Sequence, residues 1–192
     1  MLCSVLIPTR GRVGRLKSSI NSIYEHVSNQ SSVEILIRKD DDDKDDYSGI
    51  ESIPNVKVFS GDRKNGWNSV SDFYTELAGH SKSKWLWLYN DDALLEGSDW
   101  DVELSKLPTN GFIAHPQIYK LNNSVYPNWE NGNFPIVPNG FWSKLGLSGI
   151  PDPPDTATFD AVKKHGWEAK FLRGVNLFHD RIVDATLPKW RF

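Results

Sequence analysis

The sequence predicts one α/β domain with a mainly parallel central sheet between two layers of helices. Short apolar stretches alternate along the chain with segments in which apolar residues recur at helical spacing. The apolar stretches contain few polar residues, which is typical of strands covered on both faces. The 192 residues suffice for one domain with a sizeable core, and no repeat or long linker divides them.

The first strand–helix–strand unit is predicted at the start of the chain. Residues 4–7 (SVLI) form a strand that Pro8 ends, and residues 33–37 (VEILI) form the second strand. Between them an amphipathic helix is expected, with apolar positions at Val13, Leu16, Ile20, Ile23 and Val27. A helical crossover implies that the two strands are parallel and that the connection is right-handed.

The same alternation continues to the middle of the chain. Residues 56–59 (VKVF) are a third strand candidate, and residues 85–89 (WLWLY) indicate a central strand. Between them, Ser69 is expected to cap a helix together with Asp72, three residues further on. The inner stripe of this helix is formed by Val70, Phe73, Tyr74 and Leu77.

The second half of the sequence is less regular. It is rich in Asn, Gly, Pro and aromatic residues, with short strand candidates at 112–115 and 117–121. A helix is expected from Asp155 to about His165, followed by a strand at residues 168–172.

Composition argues against several classes of protein. The net charge of −3 argues against a general nucleic-acid binder, which usually carries a basic excess. Cys3 is the only cysteine, so no intrachain disulfide is expected and a reducing, cytoplasmic location is predicted. No signal peptide and no apolar stretch near the roughly 20 residues of a membrane span are recognised. Eight tryptophans are unusual in so short a chain, and they suit stacking on sugars or bases if they lie in loops.

Two aspartate clusters follow predicted strands, at the edge where open parallel sheets bind ligands. Residues 40–43 come after VEILI, and Asn90, Asp91 and Asp92 come after WLWLY. Carboxylates brought together at such an edge repel, and they need a cation or a proton. Their hard oxygen atoms suit Mg²⁺ or Mn²⁺, so the sequence predicts a metal–diphosphate substrate.

Other readings of the clusters are simpler. An EF-hand loop is excluded, because no register of the first cluster supplies both the glycine at its sixth position and the glutamate at its twelfth. The later aspartates of that cluster, Asp43, Asp45 and Asp46, are typical of a solvated acidic loop. For the second cluster, a helix cap or a turn is the alternative.

The stretches SVLIPTRGR, VEILIRKDDDD and WLWLYNDDALL resemble, in order and spacing, the GT-A glycosyltransferases, in particular the large inverting family 2-like enzymes. The resemblance covers the first half of the chain. It implies a Rossmann-like three-layer sandwich, with a nucleotide-binding half (residues 1–100) and an acceptor and catalytic half (residues 101–192). It also implies transfer of a sugar from a nucleoside diphosphate sugar, with UDP favoured, to a glycan, lipid or protein hydroxyl with inversion. The implied cofactor is Mn²⁺ or Mg²⁺.

The resemblance also implies roles for residues of the first half. Asp40 would contact the nucleoside base, with Asp41 or Asp42 as alternatives after a small register shift. Arg12 would lie near the phosphates. The other residues that would face the nucleotide are Pro8, Thr9, Arg10, Arg63 and Asn68.

The metal motif of the family, D-x-D, falls on Asn90, Asp91 and Asp92. The first position departs from the pattern, which lowers the negative charge of the site. Asp92 is expected to be the principal metal ligand, and Asp91 a ribose or metal contact. His179, in LFHD, resembles a late histidine that completes the metal or diphosphate shell, although a structural histidine is the alternative.

The catalytic base of the family is usually an aspartate at the start of a helix. Asp155 fits this description, with Asp152 and Asp160 as alternatives and a plain N-cap as the simpler reading. The acceptor platform is expected from four residues in the loops before the base, with core packing as the alternative for the aromatic ones. These residues are Trp129, Asn139, Gly140 and Trp142.

Two other functions fit the same sequence. A nucleotidyltransferase also uses a metal ion and a nucleotide on an α/β sheet, and TRGRVGR supplies a basic loop with two glycines. The G-x-x-x-x-G-K-[ST] phosphate loop is absent, which disfavours NTPases and kinases of that class. The second alternative is a non-catalytic nucleotide-sugar-binding module, which the asparagine in the metal motif and the short second half favour.

Overall fold

The computed structural model describes residues 1–64, 69–121, 124–127 and 134–179. These residues form nine strands and six α-helices. The strands are β1 (Cys3–Thr9), β2 (Val33–Asp40), β3 (Val56–Gly61), β4 (Trp85–Leu88), β5 (Ala93–Glu96), β6 (Phe112–Leu121), β7 (Ser124–Pro127), β8 (Ile136–Pro138) and β9 (Glu168–His179). The helices are α1 (Val13–Glu25), α2 (Ser48–Glu51), α3 (Val70–His80), α4 (Trp100–Ser105), α5 (Phe141–Lys144) and α6 (Pro154–Lys164).

The strands make one continuous sheet in the order β3-β2-β1-β4-β8-β6-β9-β5, with β7 paired to β6. The first four strands are mutually parallel, and β6 and β9 are parallel to each other. The short strands β5, β7 and β8 are antiparallel to their neighbours. The prediction of an α/β fold with a mainly parallel sheet is therefore confirmed.

Helices cover both faces of the sheet, and the strand side chains alternate between the two layers. On β2, Ile35 and Ile37 pack with α1, α2 and α4, whereas Leu36 packs with α3, α5 and α6. On β4 the fully buried Trp85 and Trp87 contribute to the first layer. Because both faces are covered, these strands are apolar throughout, which is the pattern that made them visible in the sequence.

Two local predictions are corrected at the ends of elements. Pro8 does not end the first strand, because β1 continues beside β2 to Thr9. The pairing of β1 with β4 covers residues 3–6 alone, so the missing N–H of Pro8 leaves no bond of that ladder unmade. Ser69 occupies the N-cap position of α3, but no capping bond from its side chain is seen among the described residues. Asp72 pairs with Lys64 instead, at 3.0 Å.

The tryptophans of the described residues are mostly core residues. Trp85, Trp87 and Trp100 are fully buried, and Trp142 is 5% exposed. Trp87 packs edge-to-face on Trp100, with 4.9 Å between ring centroids. These four tryptophans are therefore buried in the core and are not exposed for stacking on sugars. Among the described residues, no helix is long and apolar enough to cross a membrane.

Candidate functional site

The carboxyl ends of β1, β2 and β4 bring the predicted residues of the first half to one edge of the sheet. Asp40 is the last residue of β2, and Asn90 to Asp92 follow the end of β4. The loop between β1 and α1 passes between these two groups. Arg10 in this loop contacts Asp40, and Arg12 contacts Asp91 and Asp92. One short loop thus connects both aspartate clusters.

Asp91 is buried and held by two groups of this first strand and loop. The Thr9 hydroxyl donates to Asp91 Oδ2 at 2.6 Å, and Arg12 Nη2 lies 2.9 Å from Asp91 Oδ1. The side chain is 1% exposed. Burial raises the pKa of Asp91 to about 6, although the charge of Arg12 and the hydrogen bond from Thr9 oppose this rise. Asp91 therefore fixes the β1–α1 loop against the end of β4.

Asp92 faces the histidine that the sequence singled out. His179 is the last residue of β9 and lies opposite Ala93 of β5, which places it beside the second aspartate cluster. His179 Nε2 is 3.0 Å from Asp92 Oδ1, and each side chain is 9% exposed. Burial raises the pKa of Asp92, but the hydrogen bond and charge of His179, together with Arg12, bring it below its usual range. The ring of Phe134 packs edge-on against His179.

A divalent cation fits the donor atoms of this pair. A carboxylate and an imidazole suit Mn²⁺, and Mg²⁺ is commonly held by one or two carboxylates plus substrate phosphates. Within the described residues, no group of three or more His, Cys, Asp or Glu side chains is arranged to hold an ion. Asp92 and His179 would thus supply two ligands, and phosphate or water oxygens the others.

Asn90 accepts a hydrogen bond from the buried Tyr74, for which the sequence predicted only a role in core packing. The Tyr74 hydroxyl lies 3.0 Å from Asn90 Oδ1 and 2.9 Å from the Tyr89 carbonyl oxygen. Burial raises the pKa of Tyr74 well above its usual value, and the charges of Asp155, Asp91 and Asp92 add to the rise. The hydroxyl therefore stays protonated and fixes the side chain at the first position of the motif.

Asp155 lies in the first turn of α6, and its charge reaches Tyr74 together with those of the motif aspartates. Its Oδ1 accepts from the backbone N–H of the next residue, Thr156, at 2.9 Å. The N-cap position belongs to Pro153, so the plain N-cap reading of Asp155 is wrong. The segment before α6 is fastened to α3, because the Ser71 hydroxyl donates to the Pro151 carbonyl oxygen at 2.8 Å.

The alternative bases lie elsewhere on this segment. Asp152 is exposed and accepts from the Ser71 hydroxyl at 3.2 Å. Asp160 is exposed on α6. Asp155 is half-buried, and its charge acts on a group that hydrogen-bonds the metal motif. Of the three aspartates, Asp155 is the one whose charge acts on Tyr74, beside the metal motif.

The end of β2 carries a chain of alternating charges. Arg10 Nη1 donates to Asp40 Oδ2 at 2.8 Å, and both amino groups of Arg10 bind Asp42. Arg63 Nη1 lies 3.1 Å from Asp42 Oδ2. The hydrogen bond from Arg10 lowers the pKa of Asp42 to about 2. From the buried side, Arg38 donates to Asp40 Oδ1. Arg38 is a residue of this cluster that the sequence analysis missed.

The prediction of a solvated loop is wrong for Asp43. Its side chain accepts from the Gly11 N–H at 2.9 Å, from the Tyr47 hydroxyl at 2.8 Å and from the Asp45 N–H at 3.0 Å. Burial raises its pKa, but these hydrogen bonds outweigh burial and bring the pKa below the usual value. Gly11 has a φ of +64°, a conformation that favours glycine. Asp43 thus clamps the turn that carries Arg10 and Arg12, whereas Asp46 is exposed as predicted.

The predicted acceptor residues are not brought to this edge. Because β8 runs antiparallel to β4, the residue after β8 lies at the amino end of β4, and the Asn139 N–H donates to the Lys84 carbonyl oxygen at 2.8 Å. Gly140 follows it there. Trp142 is buried in the core layer formed by α3, α5 and α6. The prediction that Asn139, Gly140 and Trp142 form an acceptor platform beside the aspartate clusters is therefore corrected. Asn68 and Trp129 lie outside the described residues.

Asn139 instead borders a cavity of about 500 Å³ at the amino ends of the strands. Leu2, just before β1, and Lys84 and Trp85, at the start of β4, also line it. The cavity therefore lies at the edge of the sheet opposite the aspartate clusters. It contains none of the residues predicted to bind the nucleotide or the metal.

The sheet order, the two helical layers and the carboxylate-bearing edge define the chain as a protein with the GT-A fold of glycosyltransferases. A particular solved structure with this fold is S. aureus TarS, residues 1–349, in complex with UDP. It superposes with a TM-score of 0.74 at 11% identity, over 94% of this chain and 61% of that chain. GalNAc-T7 with UDP, GalNAc and Mn²⁺ superposes with a TM-score of 0.71 at 14% identity, over 94% of this chain and 44% of that chain.

Sequence comparisons point the same way with lower coverage. No protein-family model matches the chain. A curated protein of Oryza sativa subsp. indica, "Probable glycosyltransferase 7", is 21% identical over 119 residues, which is 60% of this chain. The chain spans 27% of that relative's length and 61% or less of the two solved chains.

Proposed function

We propose that the chain is a metal-dependent glycosyltransferase that moves a sugar from a UDP-sugar to an acceptor hydroxyl. The observation that carries this proposal is the β1–α1 loop, whose Arg10 and Arg12 contact the aspartates at the ends of β2 and β4. These two clusters suit the two ends of a nucleotide: a carboxylate that accepts from a base, and carboxylates that attract a cation and its diphosphate. The UDP complexes of TarS and GalNAc-T7 support the choice of donor.

Asp92 and His179 would hold the Mn²⁺ or Mg²⁺ ion. When bound, such an ion supplies a positive charge that stabilises the diphosphate as a leaving group. The Mn²⁺ present with GalNAc-T7 supports a divalent metal for this site. Arg12 contacts Asp91 and Asp92 in the structure, so its guanidinium orients both carboxylates and adds positive charge at the same place.

Asp155 is proposed as the general base that takes the proton of the acceptor hydroxyl. A carboxylate suits this step when it is ionised and fixed within reach of the acceptor. Its half-buried position at the start of α6, and its electrostatic contact with Tyr74 beside the metal motif, support the assignment. Attack by the acceptor oxygen on the face of the sugar opposite the diphosphate would invert the anomeric centre.

The acceptor would be the hydroxyl of a glycan, a lipid or a protein, and Asn139 and Trp142, predicted to contact it, lie away from the aspartate clusters. Because the chain spans only part of its relatives, acceptor recognition is not assigned to these residues. The nucleotide-binding part of the proposal is independent of the acceptor. It is therefore the part to test first.

A screen of nucleotide sugars by thermal unfolding, with and without Mn²⁺, tests the proposal. A ligand that binds the folded state raises the unfolding temperature. We expect UDP-sugars with Mn²⁺ to raise it more than other nucleotide sugars do. Product analysis then separates the alternatives, because glycosyl transfer releases UDP whereas nucleotidyl transfer releases pyrophosphate. A non-catalytic module would bind the donor and release neither product. Absence of stabilisation by every nucleotide, with or without Mn²⁺, would contradict the proposal.

A further inference from the structure

The end of β2 carries a buried arginine that the proposed mechanism has not used. Arg38 lies two residues before Asp40, and its side chain is 2% exposed. Leu36, two residues earlier on the same face, packs into the core layer of α3. An aliphatic side chain would suit position 38 equally well, whereas a guanidinium group is costly to bury unless its donors are paired. Packing alone therefore does not account for an arginine here.

Four groups surround the Arg38 guanidinium. Nη1 donates to Asp40 Oδ1, and Nη2 donates to the carbonyl oxygen of Asp62, the first residue after β3. Nε lies 3.5 Å from Glu76 Oε2. The guanidinium also lies over the Phe73 ring, 4.1 Å from its centroid. These contacts fix its plane and tie the ends of β2 and β3 to α3.

The neighbouring strand leaves room for this arrangement. Gly61 lies opposite Asp40 in the parallel register of β2 and β3. A Cβ atom on Gly61 would be 2.9 Å from Arg38 Nη2 and 3.1 Å from Glu76 Oε1. Any larger residue at position 61 would therefore displace the guanidinium. The space for Arg38 is built into both strands.

Asp40 has two arginine partners, and they differ in exposure. Arg38 binds Oδ1 from the interior. Arg10 binds Oδ2 at 2.8 Å from the solvent side, is 36% exposed and is shared with Asp42. Arg10 can therefore release Asp40 Oδ2 to a ligand and still remain paired with Asp42. Arg38 has no comparable route to solvent and keeps Oδ1 in place.

We propose that Arg38 is a positioning residue for recognition of the donor base, and that it acts through Asp40. This inference rests on the proposed function, because it assumes that Asp40 accepts a hydrogen bond from the base. With Oδ1 held by Arg38, Oδ2 keeps one direction, and this acceptor suits a base that presents an N–H. Uracil has an N–H at its ring position 3, whereas cytosine has an acceptor nitrogen there. The N–H groups of cytosine lie on its exocyclic 4-amino group instead, so an acceptor oxygen fixed toward ring position 3 favours uridine over cytidine nucleotides.

Calorimetric titration of the full chain with UDP and with CDP, in the presence of Mn²⁺, tests this role. We expect Arg38→Met to weaken UDP binding by roughly tenfold to a hundredfold, because a charged hydrogen bond no longer orients Asp40. CDP binding should fall less, so the preference for UDP shrinks. Arg38→Lys keeps the positive charge but loses the planar guanidinium group. Its UDP affinity should therefore lie between those of wild type and Arg38→Met. Lys57→Met, which removes an exposed charge from β3, is the matched control and should leave both affinities unchanged.

A double variant distinguishes positioning from a general structural role. If Arg38 acts through Asp40, the variant with both Arg38→Met and Asp40→Asn binds UDP no more weakly than Asp40→Asn alone. Additive losses, or an unchanged ratio of UDP to CDP affinity in Arg38→Met, would overturn the inference. If Arg38→Met fails to fold by near-ultraviolet circular dichroism, Arg38→Lys enters the same cycle. Failure of the wild-type chain to bind either nucleotide would overturn the proposed function and this inference together, so the two failures are distinguishable.

Discussion

At the scale of single residues, two adjacent aspartates have different surroundings and therefore different tasks. Asp91 is buried against Thr9 and Arg12, and burial raises its pKa to about 6. Asp92 faces His179, and its pKa lies below the usual range because His179 and Arg12 outweigh the effect of burial. Asp91 therefore suits a structural contact with the loop, and Asp92 suits a ligand that needs a full negative charge.

Replacing Asp92 by asparagine is expected to weaken UDP binding in the presence of Mn²⁺ by roughly tenfold or more. The amide is neutral and a poorer ligand for a hard cation. Binding without Mn²⁺ should change little. Calorimetry with and without Mn²⁺ measures both effects, and Asp46→Asn, at an exposed position of the solvated loop, is the control. Equal Mn²⁺-dependent affinity in wild type and Asp92→Asn would remove Asp92 as a metal ligand.

Asp155→Asn should keep donor binding and lose transfer. Loss of a general base costs roughly 10²- to 10⁴-fold in rate, while the contacts that bind the donor remain. UDP release gives the rate, and calorimetry gives the donor affinity. Asp160→Asn, on an exposed position of the same helix, should retain the wild-type rate. Full activity of Asp155→Asn would exclude it as the base.

At the scale of elements, the β1–α1 loop depends on a residue of the β2–α2 connection. Asp43→Ala would leave the Gly11 N–H, the Tyr47 hydroxyl and the Asp45 N–H without their acceptor. We expect a loss of about 2 kcal/mol or more in the free energy of unfolding, measured with urea. Asp41→Ala, which truncates an exposed side chain nearby, should stay within about 0.5 kcal/mol of wild type. A loss no larger for Asp43→Ala than for Asp41→Ala would show that the clamp is not stabilising.

Elements with strong local patterns were predictable from the sequence, and short antiparallel ones were not. The strands around Val5, Ile35 and Trp87 are apolar throughout because both faces are covered, and this leaves a clear signal. β8 has three residues, and β5 has four. Their positions depend on pairing with β4 and β9, which no local pattern records.

The candidate site divides in the same way. The placement of Thr9, Asp40 and Asp92 at one edge of the sheet was predictable, because each lies at or just after the end of a buried strand in a recognisable motif. Arg38 was missed, and Asp43 was wrongly assigned to a solvated loop, because each has partners in distant parts of the chain, Asp62 for Arg38 and Gly11 for Asp43. The predicted acceptor residue Asn139 was misplaced because the antiparallel direction of β8 carries its end away from the site. The direction of a short strand is set by the strands with which it pairs, and the local sequence does not reveal it.

At the scale of the whole molecule, a buried histidine outside the site makes stability depend on pH. His115 on β6 packs against Phe159 of α6 and Phe171 of β9, and it is 2% exposed. Burial lowers its pKa to about 4. The unfolded chain therefore takes up the proton of this histidine first as pH falls, so the contribution of His115 to the stability of the folded state is lost between about pH 6.5 and 4. Asp91, whose pKa is raised to about 6, contributes with the opposite sign over much of the same window.

The size of this loss is about 3 kcal/mol for a shift of this order. His115→Gln should remove this contribution, so on lowering the pH across that window the variant should lose less free energy of unfolding than wild type, as measured by urea titration at several pH values. His165 is exposed, so His165→Gln should leave the dependence unchanged. An equally steep dependence in wild type and His115→Gln would assign the effect to other groups.

The three-residue turn between β1 and α1, residues 10–12, has a practical consequence for the redesign of this protein. Its two arginines contact both aspartate clusters. A substitution that shifts the Gly11 backbone would therefore move the arginine contacts of both clusters. A substitution at Arg10 that changes the contacts of Asp40 and Asp42 would therefore also disturb Asp91 and Asp92 through Arg12. Arg38 donates to Asp40 from the buried side and does not belong to that turn. A substitution at Arg38 would therefore change the surroundings of Asp40 without altering the turn.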